Sequence, residues 1–208
     1  MATKADNTKQ RLLESAKTEF LEKGFSAASL RTIAGNAGVT TGALYGYFSD
    51  KETLFATLVG EHAAFFEREF RASQTKFFEM DAETQRSCMG EYSSKSLFRL
   101  VDYMYDHLEA FRLLLCSSTG TPFEHWLEPI IACEEESTHR YIEQLRRNGF
   151  PVKDIGNDLI HILCSGCFHD IMEPVIHNMD RATAIHHITL IWEFCYAGWD
   201  ALLGTRRS

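Results

Sequence analysis

Residues 29–51 read Ser-Leu-Arg-Thr-Ile-Ala-Gly-Asn-Ala-Gly-Val-Thr-Thr-Gly-Ala-Leu-Tyr-Gly-Tyr-Phe-Ser-Asp-Lys, two short amphipathic segments on either side of a Gly38-Val39 turn. Ser29 suits the N-cap of the first, which sets Leu30, Ile33, Ala34 and Ala37 on one face. The second, from Thr40 to about Tyr47, offers the core only Leu44 and, just past its end, Phe48. What remains of it is hydroxyl, glycine, alanine and phenol. A helix so small and polar suits a DNA major groove, where the N-terminal residues of a recognition helix meet base edges. Thr40 and Thr41 can hydrogen-bond to bases or touch a thymine methyl, and Gly42 with Ala43 lets the backbone come close. Tyr45 and Tyr47, two residues apart, cannot both face a core, so at least one phenol is left for a phosphate. Arg31 is the only arginine in the stretch and a candidate for a guanine contact. Lys51 opens the next helix against its dipole, a position that a phosphate at that helix start would explain.

Working outward, 7–23 places Leu12, Leu13, Ala16 and Phe20 on one helical face, and Gly24 supplies a stop. Phe25 then falls between elements as a wedge for a three-helix core. A fourth helix starting near Asp50 carries Leu54, Phe55, Leu58, Phe65, Phe66 and Phe70. Beyond it, helical periodicity recurs near 84–108, 109–116, 122–147, 153–177 and 181–203, with Pro174 expected to kink or end its helix early. No alternating strand pattern of useful length appears. The expected fold is all-α with about nine helices, divided into 1–50 and 51–208.

The ordered string Ala34, Ala37-Gly38-Val39, Gly42, Leu44-Tyr45, Tyr47-Phe48 and Lys51 is more specific than a generic helix-turn-helix. It resembles the TetR/AcrR (tetracycline-repressor) family of transcriptional regulators, whose shared sequence lies in such an N-terminal segment. The resemblance implies that Arg31, Thr40, Thr41, Gly42 and Tyr45 lie near bases, and Ser29, Tyr47 and Lys51 near the DNA backbone. It also implies a C-terminal ligand-binding and dimerisation domain. Gly35-Asn36 and Gly46 depart from the family's pattern at positions where relatives carry basic or larger side chains, which removes phosphate contacts.

Charge separates the same two halves. The chain of 208 residues has a net charge of −8, but residues 1–60 carry +1 and residues 61–208 carry −9. Only the first half is suited to phosphates, and so small an excess calls for placed contacts and dimerisation rather than a broad positive field. The polar tail of residues 1–8, expected to be disordered, lacks the apolar stretch of a secretory signal. No uninterrupted apolar run reaches the roughly 18 residues of a membrane span. A cytoplasmic protein with reduced cysteines is the expectation.

In the larger half, Tyr92, Tyr103, Phe111, Phe123 and Trp126 are candidates to line a cavity for a small-molecule inducer, against the alternative of ordinary core packing. Glu134-Glu135-Glu136 could attract a cation, although Glu136 and Arg140, or Glu143 and Arg147, also read as i,i+4 pairs on a solvated face. Residues 153–203 carry two broad apolar stripes with a Ser165-Gly166 notch, suited to a four-helix interface in a homodimer. His161, Cys164 and Cys167, spaced by three, raise the alternative of a metal- or thiol-responsive sensor, but the knuckle of a structural zinc site is missing and no cofactor is expected. No nucleophile-elbow, zincin, dinucleotide or phosphate-loop pattern is present, so the chain is not expected to be an enzyme. The function expected is a homodimer that binds a double-stranded operator and is released by a small molecule.

Overall fold

The computed structural model describes residues 4–205, and among these every regular element is helical. The helices are α1 Lys4–Ala27, α2 Leu30–Asn36, α3 Thr41–Tyr45, α4 Lys51–Glu79, α5 Ala82–Asp106, α6 Leu108–Cys116, α7 Glu128–Arg147, α8 Asn157–Ile176 and α9 Arg181–Leu203. Helix α1 already runs from Lys4, so 4–8, expected to be disordered, are helical; residues 1–3 of that tail lie outside the described residues. The chain packs as two compact units, one of Met1–Phe65 with His107–Trp126 and one of Phe66–Asp106 with Leu127–Ser208.

In the first unit the turn chemistry and the core agree. Gly24 takes φ 73°, ψ 163° inside α1, which breaks the helix and frees Phe25 to turn inward. The Phe25 ring lies 5.9 Å from Phe20 and 5.5 Å from Phe55, and Phe55 in turn meets Phe20 edge-on at 5.2 Å. Leu12, Ala16, Ile33, Leu44, Phe48 and Leu54 fill the rest of this core. A fully buried phenylalanine such as Phe20 or Phe55 contributes about 2–3 kcal/mol by removal from water alone. Helix α6 packs on α1; the Phe25 amide donates to the Ser117 carbonyl at 2.9 Å, and Lys17 pairs with Glu109 at 2.5 Å. This long-range packing brings 107–126 into the unit of the N-terminal helices.

The second unit gathers the C-terminal part of α4 with α5, α7, α8 and α9. Phe77 on α4 meets Tyr92 of α5 at 5.6 Å and Tyr141 of α7 at 5.7 Å, and Ile142, Leu145, Ile155, Ile160, Cys164 and Leu203 complete that core. Gly90 lets α9 approach α5, because a Cβ there would stand 2.9 Å from the Tyr196 ring.

Two boundaries differ from the periodicity. Residues 122–127 are turns rather than the start of α7, which begins at Glu128 with Pro129 in its first turn, where its missing N–H costs nothing. Residues 153–156 are irregular rather than helical; Pro151 precedes them, and the Lys153 amide is tied to the Leu202 carbonyl at 2.9 Å. Pro174 lies within α8, which ends two residues later at Ile176. Helix α8 is long and apolar enough to cross a membrane by length and composition, yet it packs against both α7 and α9.

Candidate functional site

The turn between α2 and α3 is a Schellman motif. The Val39 amide donates to Ala34 O and the Gly38 amide to Gly35 O, each at 3.0 Å, with Gly38 at φ 69°. That left-handed φ is why glycine stands at the turn. Thr40 then caps α3: its hydroxyl oxygen accepts from the Ala43 amide at 3.1 Å, which leaves the hydroxyl proton to donate elsewhere. Ser29 does the same for α2, accepting from the Thr32 amide at 3.4 Å. Its own amide donates to Glu19 at 3.1 Å, a carboxylate buried beneath and paired with Lys23 at 2.8 Å.

From this frame α3 turns Leu44 inward and leaves Thr40, Gly42, Ala43 and Tyr45 exposed, with Thr41 half-buried. Tyr45 is 53% exposed and Tyr47 37%, so both phenols lie outside the core. Arg31 is exposed on α2. Thr40, Thr41, Gly42 and Tyr45 thus lie on α3 and its cap, Tyr47 follows them, and Arg31 lies on the neighbouring α2. The surface they form is rich in hydrogen-bonding groups and thin in side-chain bulk, as close approach to base edges requires.

Lys51 is held differently. Its ammonium donates to the carbonyls of Phe25, Ser26 and Ala28 at 2.7, 3.1 and 3.2 Å and lies 4.6 Å above the Phe25 ring. An ammonium has three N–H groups, so none remains for a phosphate in this arrangement. The anion at the start of α4 is the chain's own: Asp50 accepts from the Thr53 amide at 2.6 Å. That amide bond and the Thr53 hydroxyl hold the Asp50 carboxyl below its ordinary range.

The second unit encloses a cavity of about 510 Å³, within the range of small-ligand sites. Aromatic side chains from α4, α5, α7, α8 and α9 line it, among them Phe70, Tyr92, Tyr141, Phe168, Trp192 and Trp199. Trp192 stacks on Tyr196 at 5.0 Å, and the Tyr92 hydroxyl donates to the Ser73 carbonyl at 2.8 Å. Of the five aromatic residues singled out in the sequence, Tyr92 lies on this wall. Phe111 and Trp126 pack on each other at 5.7 Å in the first unit, and Phe123 meets Phe55 there at 6.2 Å. Tyr103 is half-buried on α5 and is not among the lining residues.

The same cavity holds a carboxyl. Glu134 on α7 accepts from the Gln74 amide of α4 at 2.7 Å, and burial pushes its pKa up to about 7. Glu135, beside it, faces outward to His161 Nδ1 at 2.7 Å.

His161, Cys164 and Cys167 do not converge. Steps of three residues fall about 60° short of a full helical turn, so the three side chains fan out over α8. His161 is exposed on Glu135, Cys164 is buried against Thr138 at 3.8 Å, and Cys167 meets Cys195 of α9 with sulfurs 2.7 Å apart. Among the described residues no group of three or more His, Cys, Asp or Glu could hold a metal ion.

Helices α8 and α9 also present an outward apolar face. Leu159, Ile162 (61% exposed) and Gly166 lie on α8; Leu190, Phe194 (80% exposed), Ala197 and Gly198 lie on α9. The stripes read from the sequence therefore divide, with Ile171, Val175 and Ile188 buried inside the unit.

Residues 12–58 match the family model described as bacterial regulatory proteins, tetR family. The chain is similar to the transcriptional repressor AcnR of Corynebacterium glutamicum, 39% identical over 61 residues, a match covering 29% of this chain and 32% of that one. It is likewise similar to the transcriptional regulator AcrR of Shigella flexneri, 44% identical over 54 residues, covering 26% of this chain and 25% of the regulator. The matched stretch thus spans about a third or less of these relatives' length. Among solved structures, SmeT, the repressor of the Stenotrophomonas maltophilia multidrug efflux pump SmeDEF, superposes with a TM-score of 0.58 at 16% identity. That match covers 92% of this chain and 91% of the other. PfmR from Thermus thermophilus does so with a TM-score of 0.51 at 19% identity over 88% and 97% of the two chains.

Proposed function

We propose, for a chain that belongs to the TetR/AcrR family of DNA-binding regulators through its N-terminal segment, that it is a homodimeric, cytoplasmic repressor released from a palindromic operator by a small molecule. The observation that carries the DNA half of this reading is α3 itself. Its cap Thr40 and its Gly42 are exposed, Thr41 is half-buried between them, and the phenols of Tyr45 and Tyr47 lie outside the core. Arg31, Thr40, Thr41, Gly42 and Tyr45 would read or approach bases, while Ser29 and Tyr47 would hold phosphates. Lys51 would serve the site indirectly, by tying the end of α1 to the start of α4.

Dimerisation is supported by the apolar face of α8 and α9, which is too extensive and too rich in small residues to suit free solvent. Two copies of that helix pair make a four-helix interface, and the two-fold axis it imposes calls for a palindromic operator. The ligand would occupy the cavity of the second unit. Release then requires the ligand to bind the DNA-competent and released states unequally.

The experiment is operator selection from random duplexes, carried out in parallel on the wild type and Thr41→Ala. The expected outcome is a selected palindrome whose base preference shifts in the variant more than its overall affinity falls. An identical preference in both proteins removes Thr41 from the reading surface.

A second reading has one observation in its favour. Cys167 and Cys195 lie close enough to form a disulfide with peroxide, which would leave as two waters. A mass lower by two hydrogens after peroxide, absent in Cys195→Ser and accompanied by loss of operator binding, would make the regulator a thiol sensor.

A further inference from the structure

The charge inside the cavity has a consequence for what can fill it. Arg86, Glu134 and Asp200 are the only ionisable acids and bases of Asp, Glu, Lys, Arg or His type among its lining residues. Arg86 and Asp200 carry opposite charges, so together they add nothing to the net charge of the lining. Arg86 also stacks over the Phe150 ring at 5.5 Å. Glu134 has no such partner. Its one hydrogen bond is from a neutral amide, Gln74, and no cationic side chain among the described residues pairs with it. When ionised, it leaves the cavity one negative charge in excess.

The cavity that holds this carboxyl is walled by aromatic side chains. Gln74 reaches Glu134 from α4, and Cys164 approaches it from α8. One helical turn along from each stand Phe70 and Phe168, whose rings pack edge-to-face at 5.4 Å and both line the cavity. A cation in the cavity would meet aromatic walls as well as the carboxylate, and both attractions strengthen when water is excluded. An anion would meet an uncompensated buried carboxylate. A neutral guest would leave that carboxylate dehydrated, which favours its protonated form.

We infer that the cavity of the second unit takes a lipophilic organic cation, such as a quaternary ammonium, phosphonium or protonated aromatic amine, with Glu134 as its counter-ion. The inference rests on the reading of this unit as the ligand-sensing half. It goes further by naming the chemistry of the ligand.

The test uses the full chain and two probes of nearly equal size and opposite charge, tetraphenylphosphonium and tetraphenylborate. Binding is read from quenching of Trp192 and Trp199, which line the cavity, while Trp126 of the first unit supplies a constant background. At pH 8 the phosphonium should bind at least tenfold more tightly than the borate. That preference should shrink toward pH 5.5 as Glu134 takes up its proton, and Glu134→Gln should abolish it at pH 8.

The other groups around Glu134 do not reproduce this profile. Burial pushes the Cys164 thiol up to about 12 and raises Cys133, His161 pairs with Glu135 instead, and Arg71 pairs with Glu67. In the Cys167–Cys195 pair the shared hydrogen bond raises Cys167 and lowers Cys195, and Glu134→Gln leaves that pair in place. If the glutamine variant does not fold, the pH profile of the wild type decides. Equal binding of the two probes, or a preference unchanged by pH and by the variant, would overturn the inference. DNA binding by the ligand-free protein is measured separately: its failure would sink the regulator reading and leave the cation preference standing.

Discussion

The two units of this protein solve opposite problems with the same element, the α-helix. The first keeps its proposed recognition surface outside and therefore needs a rigid frame beneath very small side chains. An aromatic core centred on Phe55 and a capped, left-handed turn at Gly38 supply that frame. The second leaves room inside, and its aromatic residues line a cavity as well as filling a core. One unit is defined by what it shows and the other by what it encloses. The comparison teaches that aromatic content alone says little: Phe55 and Phe168 have the same ring, and only their surroundings make one a keystone and the other a wall.

Truncation should expose that difference most strongly. Phe55→Ala removes a fully buried ring in contact with Phe20, Phe25 and Phe123 and should destabilise the first unit by about 3–5 kcal/mol, measured by denaturant unfolding. A loss near zero would mean that the first unit is not rigidly packed. Next in size, Phe194→Asp on the outward face of α9 should turn dimers into monomers in sedimentation. It should also weaken operator binding on the order of a hundredfold, because each half-site then binds alone. A dimer that survives this charge places the interface elsewhere.

Glu134 supplies a pH test of the enclosed unit. Burial raises its carboxyl from 4.5 to about 7 in the folded protein, so the folded state holds a proton that the unfolded chain releases. The stability linked to this proton is fully present below pH 4.5 and is lost as pH rises through about 7. Glu134→Gln should therefore be more stable than the wild type by about 1–2 kcal/mol at pH 8, with the gap closing toward pH 5. A gap independent of pH would show that the carboxyl is not shielded from bulk water.

The smallest effect concerns Lys51. If its ammonium ties three carbonyls together, Lys51→Ala should cost about 1 kcal/mol of stability and leave the salt dependence of operator binding unchanged. A phosphate contact would instead lower the slope of log K against log salt by about 0.9.

The legibility of the two units in the sequence differs for a related reason. In the first, function and fold constrain the same residues locally. A turn that needs positive φ takes Gly38, a helix start takes Ser29 or Thr40, and a helix break frees Phe25, so each sign can be read within a few positions. The all-helical architecture followed from periodicity in the same way. The cavity depends on contacts between distant segments. Phe111, Phe123 and Trp126 are aromatic residues of the middle segments, as cavity candidates would be, yet they belong to the first unit, where α6 packs on α1. Glu134 sits in a run of three glutamates that resembles a solvated face; only the meeting of α7 with α4 brings it beside Gln74. In α8 and α9 two apolar faces overlap along each helix, one turned to the cavity and one outward, and a single stripe cannot separate them. Lys51 could be singled out by its adverse position at a helix start, but its three carbonyl partners lie 23 to 26 residues earlier in the chain.

The most direct measurement is selection from a random duplex library by the purified, ligand-free chain at moderate salt, followed by anisotropy titration of the enriched sequence. The account expects an enriched palindrome with half-sites about one helical turn apart, bound at least a thousandfold more tightly than unrelated duplex. Enrichment of no sequence, or equal affinity for every duplex offered, would contradict it.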